Sequence, residues 1–454
     1  MNEHPKDSLD YNRRDFLKTG SLASIMAMMG GVELVAQAAE PAGGEVTPGA
    51  AKLKLGVIGL GPWGREILST LALLPTAEIA GVCDNYPAFL KRSAKTVPDA
   101  VATDDYDTLL QNKDIKAVVV ATPTHLHKEI VLAALKAGKH VYCEAPLAHT
   151  IDDARAIAQA AKAAKHLVFQ TGLQKRSDPQ RHFLLPFIRS GALGKFAMAR
   201  AQWHKKTSWR STSPNPEREK EINWRLEKDL SLGLVGEFGI HPIDQAMWYI
   251  NSRPSAVTGF SSTILWNDGR TEPDTVQAIL EFGGGVNMIY HATLANSFDA
   301  DYEMLYGSDA AVMMRESNAW MFKEVDSPLL GWEVYARKES FYKETGIILK
   351  ADASKTPPGK EAPEPVPFKD TPLSYSLGNF IRNANSVSAA AEDFISIMGE
   401  DDKEGLTEHL SQVPRQPAAG FEDGYVATVI AVKAHEAALQ KKRVEIPTTL
   451  YELP

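Results

Sequence analysis

Cysteine is scarce in this sequence: Cys83 and Cys143 are the two in 454 residues. Each lies in an apolar run, so both read as buried single thiols, and a disulfide framework is excluded. Clustered positive charge is also missing. The formal net charge is −8, with no basic block and no alternation of basic and aromatic residues. Neither nucleic acid nor an anionic membrane is therefore an expected partner. No repeat of solenoid type runs through the chain. Beyond the N-terminal segment, no apolar run approaches the length of a bilayer span. What is present is a globular composition, 44% hydrophobic and 23% charged, in a chain long enough for two or three domains.

The N-terminal segment has its own character. Asn12-Arg13-Arg14-Asp15-Phe16-Leu17-Lys18 is a twin-arginine pattern, a weakly apolar stretch from Thr19 to Ala36 follows, and Ala36-Gln37-Ala38 offers small residues for cleavage. That order predicts a twin-arginine signal peptide over 1–38, read by the twin-arginine export machinery, and a linker over 39–51. The mature protein is then periplasmic or otherwise exported. Glu33, Gly20, Gly30 and Gly31 argue against a membrane span in this stretch.

The strongest pattern lies just beyond. Leu55-Gly56-Val57-Ile58 reads as a buried parallel strand and runs into Gly59-Leu60-Gly61-Pro62-Trp63-Gly64, a G-x-G-x-x-G turn opening a helix. Gly59 permits the tight turn, Gly61 lets the backbone approach a pyrophosphate, and Gly64 lets the helix pack close to the strand. The first N–H groups of that helix face the phosphates. A second apolar run, Glu78 to Cys83, ends in Asp84. A carboxylate there would meet a ribose 2′-OH and repel a 2′-phosphate, so NAD is expected over NADP.

Between 52 and 172, strands alternate with helices, which predicts a doubly wound parallel sheet of Rossmann type with its ligand at the carboxyl ends of the strands. Those ends carry Thr122-Pro123-Thr124-His125-Leu126-His127, Glu144 and Gln174-Lys175-Arg176. Together with Gly59, Gly61, Pro62, Trp63, Gly64 and Asp84, the residues Thr122, Pro123, Thr124, His125, His127, Glu144 and Gln174 are the cofactor-binding candidates. For His125 and His127, capping and packing at a helix entrance is the alternative.

Beyond Gly172 the period changes. A helix over Phe183 to Gly191 is followed by alternating strands at 196–203, 256–264, 274–282, 286–293 and 302–307, with Gly283-Gly284-Gly285 turning one hairpin. This predicts an α+β substrate and oligomerisation domain over 173–454 with an open antiparallel sheet. A Pro/Lys/Glu-rich surface loop is expected at 354–367 and a closing helix at 420–442.

Glu237, His241 and Asp244 stand at i, i+4 and i+7, which would place them on one helix face. A carboxylate beside an imidazole fixes its tautomer and raises its basicity. An imidazole so held can take a hydroxyl proton while hydride leaves the same carbon. His241 is the leading acid/base candidate and Glu237 its orienter, while Asp244 is expected to bond to backbone or to Arg225. A metal on the three is the weaker alternative, because no matching ligand set occurs elsewhere. Trp203, His204, Trp209 and Trp224 flank or lie in a polar stretch, 205–223, that reads as a loop over the cleft. Its aromatic rings could meet sugar C–H groups, and His204 or Arg225 sugar hydroxyls; core packing of at least two of these tryptophans is the alternative. Arg225 is a candidate on the cofactor side as well.

With these residues in view, the chain resembles the glucose–fructose oxidoreductase/inositol dehydrogenase/MocA family. The resemblance rests on Val57 to Gly61 with Gly64, Cys83-Asp84, Ala121 to His127, Glu144-x-Pro146-Leu147-Ala148, Gly172 to Arg176, Gly191 to Lys195, Asn223-Trp224-Arg225 and Gly239-Ile240-His241-x-x-Asp244. It implies a Rossmann domain plus an open-faced α/β domain, NAD(P) between them, and a sugar, polyol or glycoside substrate. The open sheet face of such domains pairs with a copy of itself, so a homo-oligomer is expected.

Two positions depart from the family. The acid before the histidine is usually Asp there and is Glu237 here, one methylene longer. The family's Glu-Lys-Pro motif places a lysine at the nicotinamide and the substrate hydroxyl; this chain reads Glu144-Ala145-Pro146. Alanine neither donates nor accepts a proton, so His241, with Lys175 or Glu144, would have to compensate. Some relatives lacking that lysine resemble glycoside hydrolase family 109, whose members hold NAD tightly and cleave glycosides by transient oxidation, elimination, water addition and re-reduction. Export bears on this choice: a folded twin-arginine substrate can carry its cofactor with it, and outside the cytoplasm no free NAD pool exchanges with it. A redox-neutral reaction or a paired oxidation and reduction fits that setting. A non-catalytic sugar- or NAD-binding relative is the third expectation.

Overall fold

The computed structural model describes residues 52–213, 215–316, 318–331, 333, 338–341, 344–348, 371–399 and 401–454. The expected signal peptide, linker and 354–367 loop lie outside these.

The first domain is built from β1 (Leu53–Ile58), α1 (Pro62–Leu73), β2 (Ala77–Cys83), α2 (Pro87–Thr96), β3 (Val101–Thr103), α3 (Tyr106–Gln111), β4 (Ala117–Val120), α4 (His127–Lys136), β5 (His140–Cys143), α5 (Ile151–Ala163) and β6 (Phe169–Thr171). The six strands are parallel and lie in the order β3-β2-β1-β4-β5-β6. That is the doubly wound order whose ligand crevice opens between β1 and β4. Period-two alternation explains why the central strands read as unbroken apolar runs. Leu55, Val57, Ala117, Val119 and Tyr142 face one core, while Ile58, Val118, Val120, Val141 and Cys143 face the other. Cys83 and Cys143 are both buried and free.

The second domain follows with α6 (Pro179–Arg189), β7 (Phe196–His204), α7 (Glu219–Ile222), α8 (Gly233–Glu237), α9 (Ile240–Ile250), β8 (Ala256–Ser262), β9 (Thr275–Glu281), β10 (Asn287–Thr293), β11 (Asp301–Gly307), β12 (Ala310–Arg315), β13 (Asn318–Lys323), β14 (Lys338–Phe341) and β15 (Glu344–Ile348). Then come α10 (Pro372–Met398), α11 (Lys403–Ser411), α12 (Phe421–Gln440) and β16 (Arg443–Glu445). The second sheet has ten strands, in the order β14-β15-β13-β12-β11-β7-β10-β9-β8-β16. It is mixed rather than purely antiparallel, because β7 and β10 run parallel at its centre. One face packs on helices; on the other, Phe260 of β8 and Ile279 of β9 are exposed.

The domain boundary differs from the sequence expectation. Residues 173–454 do not all belong to the second domain. Leu373, Leu377, Phe380, Ile381, Ala384 and Val387 of α10, with Leu410 of α11, complete the core on the β1 side of the Rossmann sheet. Ser376 of α10 accepts from Gln170 at 2.8 Å through its carbonyl and lies 3.3 Å from the Tyr142 hydroxyl. The chain thus returns to its first domain. α12 then joins the two halves: Thr428 accepts from the Leu147 amide at 3.0 Å, and Ser261 of β8 donates to the Ala438 carbonyl at 2.9 Å.

Candidate active site

A cleft of about 1770 Å³ runs between the carboxyl ends of β1, β4 and β5 and the helix-bearing face of the second sheet, well beyond the volume a single small ligand needs. Gly59 has φ +95°, and a Cβ there would stand 2.6 Å from the Ala121 carbonyl and the Thr122 amide nitrogen. Only glycine fits that bend between β1 and β4. A Cβ on Gly61 would meet nothing within 4 Å, so the turn leaves open space where a phosphate can approach. α1 starts directly after it with Pro62 at its first position, where a missing N–H costs nothing.

Asp84 sits beside this turn at the end of β2. Its carboxylate accepts from the Leu60 amide at 2.6 Å and the Tyr86 amide at 2.7 Å, so it braces the glycine turn while presenting its remaining lone pairs to the cleft. Burial raises its pKa; the two amides, Arg218 and Arg65 oppose that rise.

The strand-end residues Thr122, Pro123, Thr124, His125, Glu144 and Gln174 all line the cleft, as do Pro62, Trp63, Gly64 and Trp224. The His125 ring meets that of Trp224 edge-on at 6.0 Å, and burial lowers its pKa. His127 also borders the cleft, but its role is a correction to the sequence reading. Both ring nitrogens face carbonyls, Thr122 O at 2.9 Å and Pro146 O at 3.0 Å. It is buried, its pKa pushed down to about 4 by burial, and it ties the loop after β4 to the loop after β5. Packing, the alternative, describes it better than cofactor contact.

Glu144, at the end of β5, is buried, with Oε1 lacking a hydrogen-bond partner among the described residues. Burial pushes its carboxyl up to about 7, against the Trp63 indole and the Ala145 amide, which favour the anion. Ala145 lines the cleft next to it and brings no proton-carrying group there.

Glu237 and His241 both line the cleft, yet they do not form the expected pair. α8 ends at Glu237 and α9 begins at Ile240, so no single helix face carries Glu237, His241 and Asp244. Glu237 accepts from the Thr124 hydroxyl at 3.2 Å and the Leu232 amide at 3.4 Å, with the Arg225 Nε 3.7 Å away. Its pKa is raised by burial and held back by Arg225. It fixes Arg225 and Thr124 rather than orienting His241. Arg225 in turn lies 4.4 Å over the Trp224 ring. Asp244 is turned away from Arg225 and takes both nitrogens of Arg176, at 2.9 and 2.8 Å. Among the described residues no cluster of three or more His, Cys, Asp or Glu is arranged to hold a metal.

His241 is half-buried in the cleft, and no described residue hydrogen-bonds its ring. Burial pushes its pKa down to about 4, with the Lys175 ammonium adding to the effect. The sequence reading missed the partner of Lys175: its ammonium pairs with Glu303 of β11. Burial and the Arg181 guanidinium lower the Lys175 pKa to about 7. Gln202, Asp301 and Glu303 line this end of the cleft too. Asp301 and Glu303 stand two apart on β11, opposite Trp203 and Ala201 of β7, and that alternation was the only signal a sequence could have offered; Gln202, on β7, has the opposite parity.

Of the aromatic candidates, Trp203 and Trp209 stack on Phe238, with ring centroids 4.1 and 5.1 Å away, and still border the cleft. His204 does not border it. It follows Trp203 on β7, so its side chain emerges on the opposite face. There its Nδ1 faces the Phe298 carbonyl at 3.0 Å and its Nε2 faces His291 at 2.9 Å. The expected role of His204 in meeting substrate hydroxyls is withdrawn on that geometry.

Comparison with known proteins agrees with this architecture. The profile of the GFO/IDH/MocA oxidoreductase family, NAD-binding Rossmann fold, matches residues 53–172, and the GFO/IDH/MocA C-terminal domain profile matches 186–312. Levoglucosan dehydrogenase of Pseudarthrobacter phenanthrenivorans is 31% identical over 42% of this chain and 46% of its own length. Inositol 2-dehydrogenase of an Arthrobacter species is 34% identical over 34% of this chain and 47% of its own. The chain therefore matches about half the length of these relatives. Among solved structures, levoglucosan dehydrogenase with NADH and levoglucosan superposes with a TM-score of 0.63 at 21% identity, covering 87% of this chain and 100% of that one. An oxidoreductase domain protein from Kribbella flavida gives 0.64 at 20% identity, with 87% and 100% covered.

Proposed function

Because this chain belongs to the GFO/IDH/MocA oxidoreductase family, we propose that it is an exported enzyme that moves hydride between a nicotinamide held in the cleft and a carbon of a sugar, polyol or glycoside. The observation that carries this reading is the meeting, in one cleft, of the Gly59–Gly64 turn, a His241 ring that no described residue hydrogen-bonds, and Lys175 paired with Glu303. NAD, when bound, supplies the hydride-accepting carbon.

The chain's own residues do the rest. The turn and Asp84 seat the dinucleotide, and Glu237 holds Arg225 and Thr124 at the cleft wall. As hydride leaves a substrate carbon, the proton of its hydroxyl passes to an imidazole nitrogen of His241. A pKa near 4 keeps that ring neutral and able to accept at neutral pH. Lys175, poised near neutrality by its burial, is the second acceptor and stands in for the lysine absent at Ala145. The rings of Trp203, Trp209 and Trp224 offer faces for sugar C–H groups. The open sheet face is where a second copy would pair.

A second reading, the redox-neutral glycosidase of family 109 type, is favoured by Ala145 and by Glu144 beside it. A carboxyl titrating near 7 can give a proton to a leaving oxygen. Incubation with p-nitrophenyl glycosides separates the two: nitrophenol release without net NADH supports hydrolysis, and NADH accumulation with free sugars supports one-way oxidation. His241→Ala is expected to lower turnover at least about 100-fold in either case while leaving NADH binding intact. Unchanged turnover in that variant would overturn both, and sugar binding without turnover across a broad panel would support the non-catalytic reading.

A further inference from the structure

Resting on the reading that the cleft holds a nicotinamide dinucleotide, we infer that Ser213 and Arg218 of the second domain form a clasp with Asn85 and Tyr86 that locks the adenosine half in place. Asn85 and Tyr86 directly follow Asp84, the carboxylate at the ribose position. Arg218 donates to the Asn85 carbonyl at 2.8 Å and to its side-chain oxygen at 3.1 Å. Its guanidinium lies 5.4 Å over the Tyr86 ring. The Tyr86 hydroxyl, in turn, is 3.0 Å from the Ser213 hydroxyl. Two domains are thereby joined beside Asp84, through Asn85, Tyr86 and Arg218, which border the cleft.

The second-domain side of this bridge is itself anchored. Glu221 holds Arg218 through two bonds of 2.9 and 2.8 Å. Arg210 donates to the Asp268 side chain at 3.1 Å, to its carbonyl at 2.6 Å and to Glu219 at 2.8 Å. Arg270 donates to the Ser208 carbonyl at 2.6 Å. The bridge is therefore tied back to the loop between β8 and β9, and Arg218 and Tyr86 both line the cleft. A dinucleotide beneath it can leave only when several interdomain contacts open together. Retention through many catalytic cycles follows, and with it the need to re-reduce or re-oxidise the nicotinamide in place.

Wild-type protein, Arg218→Ala and Tyr86→Phe, each loaded with NADH and chased with excess NAD, give the release rate from the decay of NADH fluorescence. The clasp requires release at least tenfold faster in Arg218→Ala and several-fold faster in Tyr86→Phe, which removes only the hydroxyl and serves alone if the arginine variant does not fold. Release from the wild type within twofold of both variants overturns the clasp alone. A wild-type protein that holds no nicotinamide dinucleotide as purified and takes up no NADH overturns the functional reading and the clasp together.

Discussion

A carboxyl group removed from water is costly to ionise unless each oxygen is bonded, and Glu144 is buried with one oxygen unpartnered among the described residues. Its folded pKa, about 7, lies above the ordinary 4.5, so the folded state binds this proton more tightly than the unfolded state does. Stability from the site is complete below 4.5 and is lost as pH rises to 7, by roughly 3 kcal/mol in all. Glu144→Gln should remove that loss. Urea unfolding of cofactor-free protein should find the variant gaining on the wild type between pH 5 and pH 8, and a constant difference would contradict the assignment. The residue scale also shows what a single letter can tell. Ala145 announces in the sequence that the position after Glu144 carries no proton-transferring group. Nothing there announces that Lys175 pairs with Glu303, because the two are 128 residues apart and meet only when β11 packs beside the 174–177 turn.

At the scale of elements, the β1–α1 turn separates backbone strain from ligand contact. Gly59 needs a positive φ and abuts the backbone of residues 121 and 122. Gly59→Ala should lower apo-protein stability by a few kcal/mol, on the order of 2 to 4, as well as abolish NADH binding. Gly61 has ordinary φ and open space around its missing side chain. Gly61→Ala should leave apo-protein unfolding within about 0.5 kcal/mol of wild type yet weaken NADH binding at least about tenfold. Thermal melts and fluorescence titration of the same two variants test the contrast; a similar stability loss in both would show that the turn is structural throughout. The helix carrying His241 teaches a different lesson. Spacing of four and three residues suggests one continuous face, but the chain breaks between Glu237 and Ile240. Glu237 is therefore delivered to Thr124 and Arg225, while His241 is left free in the cleft.

Over the whole molecule, acid sensitivity should come from imidazoles withdrawn wholly or partly from water. His127, His140 and His241 are each pushed by burial from 6.5 to about 4. The unfolded chain takes up their protons first, so the stability these neutral rings contribute is complete above 6.5 and lost as pH falls toward 4. Glu144, Asp84, Asp178, Glu237 and Asp244, all raised by burial, change stability in the opposite sense. Neighbouring cations and amides hold the last four back, however, and nothing compensates the imidazoles as fully. The urea midpoint of the cofactor-free protein should fall from pH 7 to pH 4.5, and a flat or rising midpoint would count against neutral buried histidines. The sequence alone determined the Rossmann half: the run of apolar strands, the glycine turn and Asp84 are local signals, because a strand, its turn and the next helix are contiguous. It also placed nearly every cofactor-side candidate at strand ends, which the topology necessarily gathers at one edge. Only the tertiary structure decided that α10 and α11 return to the first domain, that β7 and β10 run parallel, that His204 faces away, and that Glu303 meets Lys175. Each of those depends on which distant segment packs against which, and alternation or helical spacing within one segment carries no information about its partner.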